Sequence, residues 1–105
     1  MICYKVVYAQ EAYRDLVNIY NYILSISLEP SVASNLVSKI KNAIESLSTL
    51  PFRHPIFDIV PKKGIELRKL LVKNYIVLYC VDVNNKAVNI VRMFSGKRDY
   101  KNIPI

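Results

Sequence analysis

The spacing of apolar residues predicts one short strand followed by two helices in the first half of the chain. Residues 4–8 are mostly aromatic and β-branched, a composition typical of a strand. From Glu11 apolar side chains recur every three or four residues, which places them on one face of a helix that we expect to end near Leu28. Pro30 suits the first turn of a second helix, whose apolar face continues to Leu50. The two helices should therefore form a hairpin.

The second half of the chain is predicted to be a meander of three strands. Pro51, Pro55 and Pro61 each remove a backbone donor, so residues 51–64 should be irregular or at most an edge strand. Three runs rich in Val, Ile, Leu and Tyr follow, at residues 67–72, 75–83 and 87–94. Strands joined by such short turns pair antiparallel. The predicted fold class is α+β, with the order βααβββ(β) and the helical hairpin covering one face of a small, mostly antiparallel sheet.

The composition is that of one packed domain spanning residues 1–105. At 52% hydrophobic and 22% charged, the chain is too apolar for a disordered segment, and at 105 residues it is too short for a multidomain enzyme. Cys3 and Cys80 cannot supply the disulfide framework of a small secreted domain. No secretory leader is visible, and no apolar run reaches the roughly 18 residues of a membrane span. We therefore expect a cytoplasmic protein.

The net charge of +7 lies entirely in the last part of the chain. Residues 1–61 contain five cations and five anions, whereas residues 62–105 contain ten cations and three anions. Concentrated positive charge raises the local potential and attracts polyanions, either nucleic acid or an acidic protein segment. An anionic membrane surface would also be attracted, but we expect no membrane partner for a chain without a membrane-spanning segment.

The sequence lacks the common signatures of nucleotide, metal and triad chemistry. It has no glycine-rich phosphate loop, no closely spaced metal ligands and a single histidine, His54. Because His54 lies between Arg53 and Pro55 in the proline-rich segment, a surface or hydrogen-bonding role is favoured over that of a catalytic base. We therefore expect no cofactor and no metal.

A cluster of cations near the chain end is the strongest candidate for chemistry. Alternate residues of a strand share a face, so a meander can gather four cations into one patch: Arg68, Arg92, Lys97 and Arg98. Such a patch can bind a phosphodiester backbone, and one member can stabilise charge that develops on phosphorus. Tyr75 and Tyr100 could stack on a base or assist proton transfer. The alternative is a solvated basic face with core tyrosines, which we favour for each tyrosine taken alone and for Lys86.

Two segments carry a resemblance to a known family. Residues 66–82 and 88–100, together with the Leu50-Pro51 helix end, resemble the RelE/ParE toxins of toxin–antitoxin modules. The Arg68 segment, the strand from Asn74-Tyr75 to Tyr79 and the ending Gly96-Lys97-Arg98-Asp99 are specific when taken together, although any one of them alone is a weak signal. The resemblance implies a small antiparallel sheet packed by a helical hairpin. It also implies a growth-inhibiting toxin held inactive by a cognate antitoxin, whose acidic and apolar segment would cover the basic patch.

The family contains two kinds of toxin, and the resemblance extends to both. RelE-like members cut mRNA on the ribosome without a metal, by attack of the RNA 2′-hydroxyl on the adjacent phosphate, whereas ParE-like members poison DNA gyrase and are not nucleases. For a ribonuclease, the resemblance implies catalytic roles for Arg68, Arg98 and Tyr100. Four further cations would bind nucleic acid or another target: Lys69, Lys73, Arg92 and Lys97.

Two departures favour the ParE-like branch. Ile76 stands where the ribonuclease branch commonly has an arginine after the strand tyrosine, and Ser95 stands where some members carry a histidine. An aliphatic side chain cannot stabilise a phosphorane. The leading hypothesis is therefore a ParE-like toxin that poisons DNA gyrase. A RelE-like ribosome-dependent mRNA endonuclease is the first alternative, and a non-toxic basic nucleic-acid-binding domain is the second.

Overall fold

The computed structural model describes residues 3–57 and 66–97. Its elements are β1 (Lys5–Tyr8), α1 (Gln10–Ser27), α2 (Pro30–Glu45), two 3-10 turns (Ser46–Ser48 and Pro51–Arg53), β2 (Arg68–Val72), β3 (Tyr75–Asp82) and β4 (Ala87–Ser95). This order confirms the predicted α+β class, with the helical hairpin between the first strand and the meander.

The four strands form one sheet in the order β1-β4-β3-β2. The meander β2–β3–β4 is antiparallel, as predicted, but β1 pairs parallel with β4, with Lys5 opposite Ala87 and Tyr8 opposite Ile90. Side-chain periodicity identifies a strand without fixing its neighbour or its direction. The sheet is therefore mixed, and β4, the last described strand along the chain, lies inside it.

The ends of the two helices are set by the backbone conformations of particular residues. Leu28 closes α1 in the left-handed conformation, with φ of 58°, and its N–H donates to the Leu24 carbonyl. Pro30 opens α2, where a missing N–H costs nothing. The α2 helix ends at Glu45 rather than near Leu50, because Leu50 precedes a proline and is itself left-handed, with φ of 50°.

The main core lies between the hairpin and one face of the sheet. Its helix residues recur at the predicted spacing, and its strand residues come from β2, β3 and β4: Ala12, Leu16, Ile19, Ile40, Ile44, Leu70, Val77, Tyr79, Ile90 and Met93. Tyr79 is fully buried, and its hydroxyl donates to the Pro51 carbonyl over 2.7 Å. This bond satisfies the only polar atom of the Tyr79 side chain.

A second apolar cluster lies on the opposite face of the sheet. Its buried members are Phe57, Leu67, Ile76, Leu78 and Phe94. Leu78 and Tyr79 are neighbours in β3 and point to opposite faces, so the strand is buried on both sides. None of the described helices is both long and apolar enough to cross a membrane.

Candidate functional site

Arg68 is held by protein groups at the start of β2. Its guanidinium donates to the carbonyls of Phe52 (3.2 Å) and His54 (2.8 Å), and to a Glu66 carboxylate oxygen (2.8 Å). It also lies over the Phe52 ring, 5.1 Å from the centroid. Arg68 therefore fastens the turn after α2 to the sheet, and its donors are largely occupied.

Arg92 is also held, by a carboxylate of the hairpin. Its Nε lies 2.8 Å from Asp15 Oδ2 and its Nη2 lies 3.2 Å from Asp15 Oδ1, and Oδ2 also accepts the Met93 N–H at 2.9 Å. Both side chains are mostly buried, and the hydrogen bond from Arg92 to Asp15 raises the pKa of Arg92 above its ordinary value. The pair joins α1 to β4.

A β-bulge explains why Arg92 reaches the hairpin. Leu78 pairs with Arg92 and Tyr79 pairs with Ile90, so Val91 has no partner of its own on β3. Strict alternation from Phe94, which belongs to the second cluster, would place Arg92 on the face away from the helices. The prediction of a patch formed by strand alternation therefore fails at this position.

The structure does not bring the predicted cluster together. Arg68 pairs with Tyr79, whereas Lys97 follows Ser95, which pairs with Tyr75. Tyr75 and Tyr79 are four residues apart in β3, roughly 13 Å along the strand. Arg98 and Tyr100 lie outside the described residues, as do all residues from 98 onward. Among the described residues, the expectation that Arg68 lies beside Lys97 is therefore wrong.

Lys73 and Lys97 line one groove, between the tip of the hairpin and the end of the sheet. We call it the hairpin-tip groove, and its volume is about 610 Å³. One wall comes from the hairpin: Tyr22, Ile23, Ile26, Val32, Asn35, Leu36 and Lys39. The other comes from the sheet end: Lys73, Asn74, Tyr75, Ser95 and Lys97.

A separate pocket of about 410 Å³ lies at the opposite end of the sheet, where Phe52, Arg68 and Asp82 are among the lining residues. That pocket contains carboxylates as well as Arg68, and the Arg68 guanidinium is already bound there. Within residues 3–57 and 66–97, the hairpin-tip groove is therefore the better candidate for a site whose cations have no ion-pair partner.

A tight turn and a close backbone approach position the two lysines of the sheet end. Lys73 adopts a left-handed conformation, with φ of 55°, in the two-residue turn that joins β2 to β3. The Gly96 N–H donates to the Asn74 carbonyl over 2.6 Å, and a Cβ on Gly96 would lie 3.2 Å from that oxygen. Glycine at this position thus lets the end of β4 approach the turn and brings Lys97 near Lys73.

Sequence reasoning missed the hairpin wall of the groove. Tyr22, Ile26 and Val32 are exposed apolar side chains beyond the main core, and Lys39 lies within residues 1–61, whose formal charges cancel. A usable signal was present, because Val32 departs from the core-facing positions of α2. The sequence does not show that Val32 and Lys73 line the same groove, because their proximity depends on how the hairpin packs on the sheet.

Two other predicted residues have clear positions. Lys69 pairs with Leu78, and its backbone N–H donates to the Pro55 carbonyl at 3.0 Å. His54 lies in the turn after α2, as expected, with its ring edge-on to Tyr79 at 6.4 Å. Burial, and then the charge of Arg53, lowers the pKa of His54. No group of three potential metal ligands occurs among the described residues.

The sequence matches a family that fits this architecture. Residues 6–100 match the family model described as the ParE toxin of the type II toxin–antitoxin system parDE. The chain belongs to the ParE toxin family. Among curated proteins, no sequence matches this ParE-family chain.

Solved structures share the fold of this ParE-family toxin. The chromosomal ParDE system from P. aeruginosa aligns with a TM-score of 0.72 and 16% identity, over 90% of this chain and 98% of that one. The toxin–antitoxin complex RelBE2 from Mycobacterium tuberculosis aligns with a TM-score of 0.61 and 21% identity, over 90% of this chain and 93% of that one. The archaeal RelE–RelB complex from Pyrococcus horikoshii OT3 aligns with a TM-score of 0.61 and 16% identity, over 93% of this chain and 99% of that one. At these identities the likeness establishes the fold.

Proposed function

We propose that this ParE-family toxin arrests growth by poisoning DNA gyrase. The observation that carries the proposal is the environment of Ile76, which stands where the ribonuclease branch commonly has an arginine. Ile76 is 7% exposed and packs in the second apolar cluster with Leu78 and Phe94. The position is therefore part of a packed apolar face, and a cation placed there would lose hydration without gaining a partner.

Arg68, one of the cations that the ribonuclease alternative needs, is already bound by protein groups, as is the neighbouring candidate Arg92. Arg68 donates to two carbonyls and a carboxylate, and Arg92 binds Asp15. Stabilising a phosphorane requires donors that are free to meet the developing charge. Arg98 and Tyr100 lie outside the described residues, so the support for the gyrase hypothesis comes from Arg68, Ile76 and Arg92.

A cognate antitoxin is part of the same proposal. The related ParDE, RelBE2 and RelE–RelB structures are described as toxin–antitoxin systems or complexes. By that likeness, a protein encoded beside this toxin binds it tightly and holds it inactive. The excess of positive charge favours an acidic partner segment.

The test separates the two targets in one culture. The toxin is induced in a heterologous bacterium, new RNA 5′ ends are mapped within minutes of growth arrest, and DNA covalently bound to gyrase is recovered from the same cells. We expect arrest with accumulated gyrase–DNA complexes and without new cuts in translated frames. Abundant cuts in translated frames without such complexes would establish the ribonuclease alternative, and normal growth would favour the non-toxic binding domain.

A further inference from the structure

The turn after α2 exposes three large apolar side chains. Leu50 is 70% exposed, Phe52 48% and Ile56 49%. All three lie in the segment 50–56, between the end of the hairpin and the start of β2, and we call them the turn patch. Large apolar side chains grouped on one exposed segment are typical of a surface that another protein covers.

Leu50 is not explained by the needs of the fold. Its backbone is left-handed, with φ of 50°, a conformation that glycine and asparagine adopt more readily than leucine. At 70% exposure, Leu50 also gains little from burial against the rest of the protein. A leucine at this position therefore weakens the fold slightly, and a partner that buries its side chain accounts for it.

The backbone that presents the turn patch is held in place by hydrogen bonds. Arg53 Nη1 donates to the Thr49 carbonyl at 2.7 Å and to the Leu50 carbonyl at 3.1 Å. The Tyr79 hydroxyl and the Arg68 guanidinium donate to carbonyls further along the turn. Because the backbone is already fixed, little further chain is ordered when a partner binds, and this favours affinity.

The charge beside the turn patch favours a partner other than a second copy of the toxin. Arg53 is exposed, and the oxygens that its guanidinium contacts, on Ser46, Thr49 and Leu50, are uncharged. A carboxylate at the rim of a partner's pocket would be attracted to this guanidinium. A second copy of the toxin has a net charge of +7 and would be repelled.

The apolar side chains favour a protein partner over nucleic acid. A phosphate backbone would be attracted to Arg53 but would leave Leu50 and Ile56 in water. The Arg68 guanidinium lies over one face of the Phe52 ring, 5.1 Å from the centroid, so that face is closed to a stacking base. An apolar pocket with a carboxylate at its rim, on the surface of a protein, would bury all three side chains and meet the charge of Arg53.

The position of the turn patch along the chain separates it from the charge that attracts an acidic antitoxin. The formal charges of residues 1–61, which include the turn patch, cancel, and the excess of +7 lies in residues 62–105. We propose that the turn patch is the surface through which the free toxin binds gyrase, by inserting Leu50, Phe52 and Ile56 into an apolar pocket of the enzyme. This inference rests on the proposed function, because it takes gyrase as the target.

The experiment compares two matched triple variants of the full chain. The turn variant carries Leu50→Asn, Phe52→Ser and Ile56→Thr. The control makes similar changes at exposed apolar residues of the hairpin, including a second left-handed leucine with φ of 58°: Leu28→Asn, Tyr13→Ser and Val17→Thr. Each toxin is co-expressed with the protein encoded by the neighbouring open reading frame, separated from it in denaturant, refolded, and titrated with purified gyrase by calorimetry. Covalent gyrase–DNA complexes are then counted with each toxin.

We expect the turn variant to bind gyrase about 30-fold more weakly or worse and to trap correspondingly fewer gyrase–DNA complexes, because the centre of the interface is lost. The control should stay within about threefold of wild type, since side chains outside an interface contribute little to binding. The turn variant should still bind the antitoxin like wild type. Circular dichroism and thermal unfolding verify that both variants are folded.

A single substitution keeps the test valid if the triple variant does not fold. Asparagine adopts the left-handed conformation more readily than leucine, so Leu50→Asn should be at least as stable as wild type. It should still bind gyrase more weakly than Leu28→Asn, its control at the other left-handed leucine.

Three results would overturn the inference. Gyrase binding that falls equally in both triple variants, or in neither, would reject the turn patch and leave gyrase as the target. Wild-type toxin that neither binds gyrase nor traps it on DNA would reject the proposed function, and this inference with it. A turn variant that keeps its affinity for gyrase but loses the antitoxin would assign the turn patch to the antitoxin.

Discussion

Tyr79 shows what one buried hydroxyl does at the residue scale. Tyr79→Phe removes the donor to the Pro51 carbonyl while keeping the ring. We expect a loss of about 1–2 kcal/mol in the free energy of unfolding, because a buried carbonyl loses its partner. Urea denaturation measures it, with Tyr13→Phe as the control at an exposed tyrosine. Equal stability of Tyr79→Phe and wild type would contradict this role.

His54 gives a pH dependence with a defined sign. Its Nε2 is buried without a partner among the described residues, and burial followed by the charge of Arg53 lowers its pKa in the folded state. The unfolded chain therefore takes up the proton first, so stability is fully present above the unfolded pKa of about 6.5 and falls as the pH drops below it. The further groups near the ring are Tyr79 and Arg68, which binds the His54 carbonyl.

The measurement is urea unfolding of wild type and His54→Gln at several values between about pH 5 and pH 8. The wild type should lose more stability than the variant as the pH falls. Parallel curves for the two proteins would show that His54 does not carry the effect.

Lys73 carries a backbone cost that glycine would remove. Its left-handed conformation, with φ of 55°, is unfavourable for a residue with a Cβ. Lys73→Gly should raise the free energy of unfolding by about 0.5–1 kcal/mol relative to Lys73→Ala, since both lose the charge and only one loses the Cβ. Thermal unfolding of the two variants measures this difference in stability. Equal melting temperatures would argue against a strained turn.

At the scale of elements, Asp15 and Arg92 fix the hairpin to the sheet. Asp15→Ala should cost about 3 kcal/mol, because it leaves a mostly buried guanidinium and the Met93 N–H without their acceptor. Denaturant unfolding checks this, with Glu29→Ala as the control at an exposed acid of the hairpin away from Arg92. A loss no greater than that of the control would mean that water replaces the carboxylate.

The elements themselves could largely be predicted from the sequence, whereas their pairing could not. Apolar periodicity located both helices and the meander because burial on one face leaves a repeat in the chain. Three features join segments that are distant along the chain. These are the parallel pairing of β1, the bulge that turns Arg92 toward Asp15, and the groove that Lys39 and Lys73 both line. The resemblance to RelE/ParE toxins implies the same small antiparallel sheet and helical hairpin, and it leaves the parallel pairing of β1 with β4 open as well.

At the scale of the whole molecule, the net charge of +7 acts at a distance. We expect the association rate with an acidic antitoxin to fall by about tenfold or more between low and high salt, because screening shortens the reach of the field. The dissociation rate should change much less, since contacts in the complex are partly shielded. Stopped-flow binding at several salt concentrations measures both rates, and a salt-independent association rate would contradict electrostatic steering.

The position of β4 also bears on when the toxin takes shape during its synthesis. β1 has β4 as its only neighbour in the described sheet, yet the ribosome makes β1 first and β4 after every other described strand. The sheet therefore cannot close until translation has passed Ser95, and folding must wait for this most distant pairing. A nascent chain interrupted before Ala87 leaves β1 and one edge of β3 unpaired.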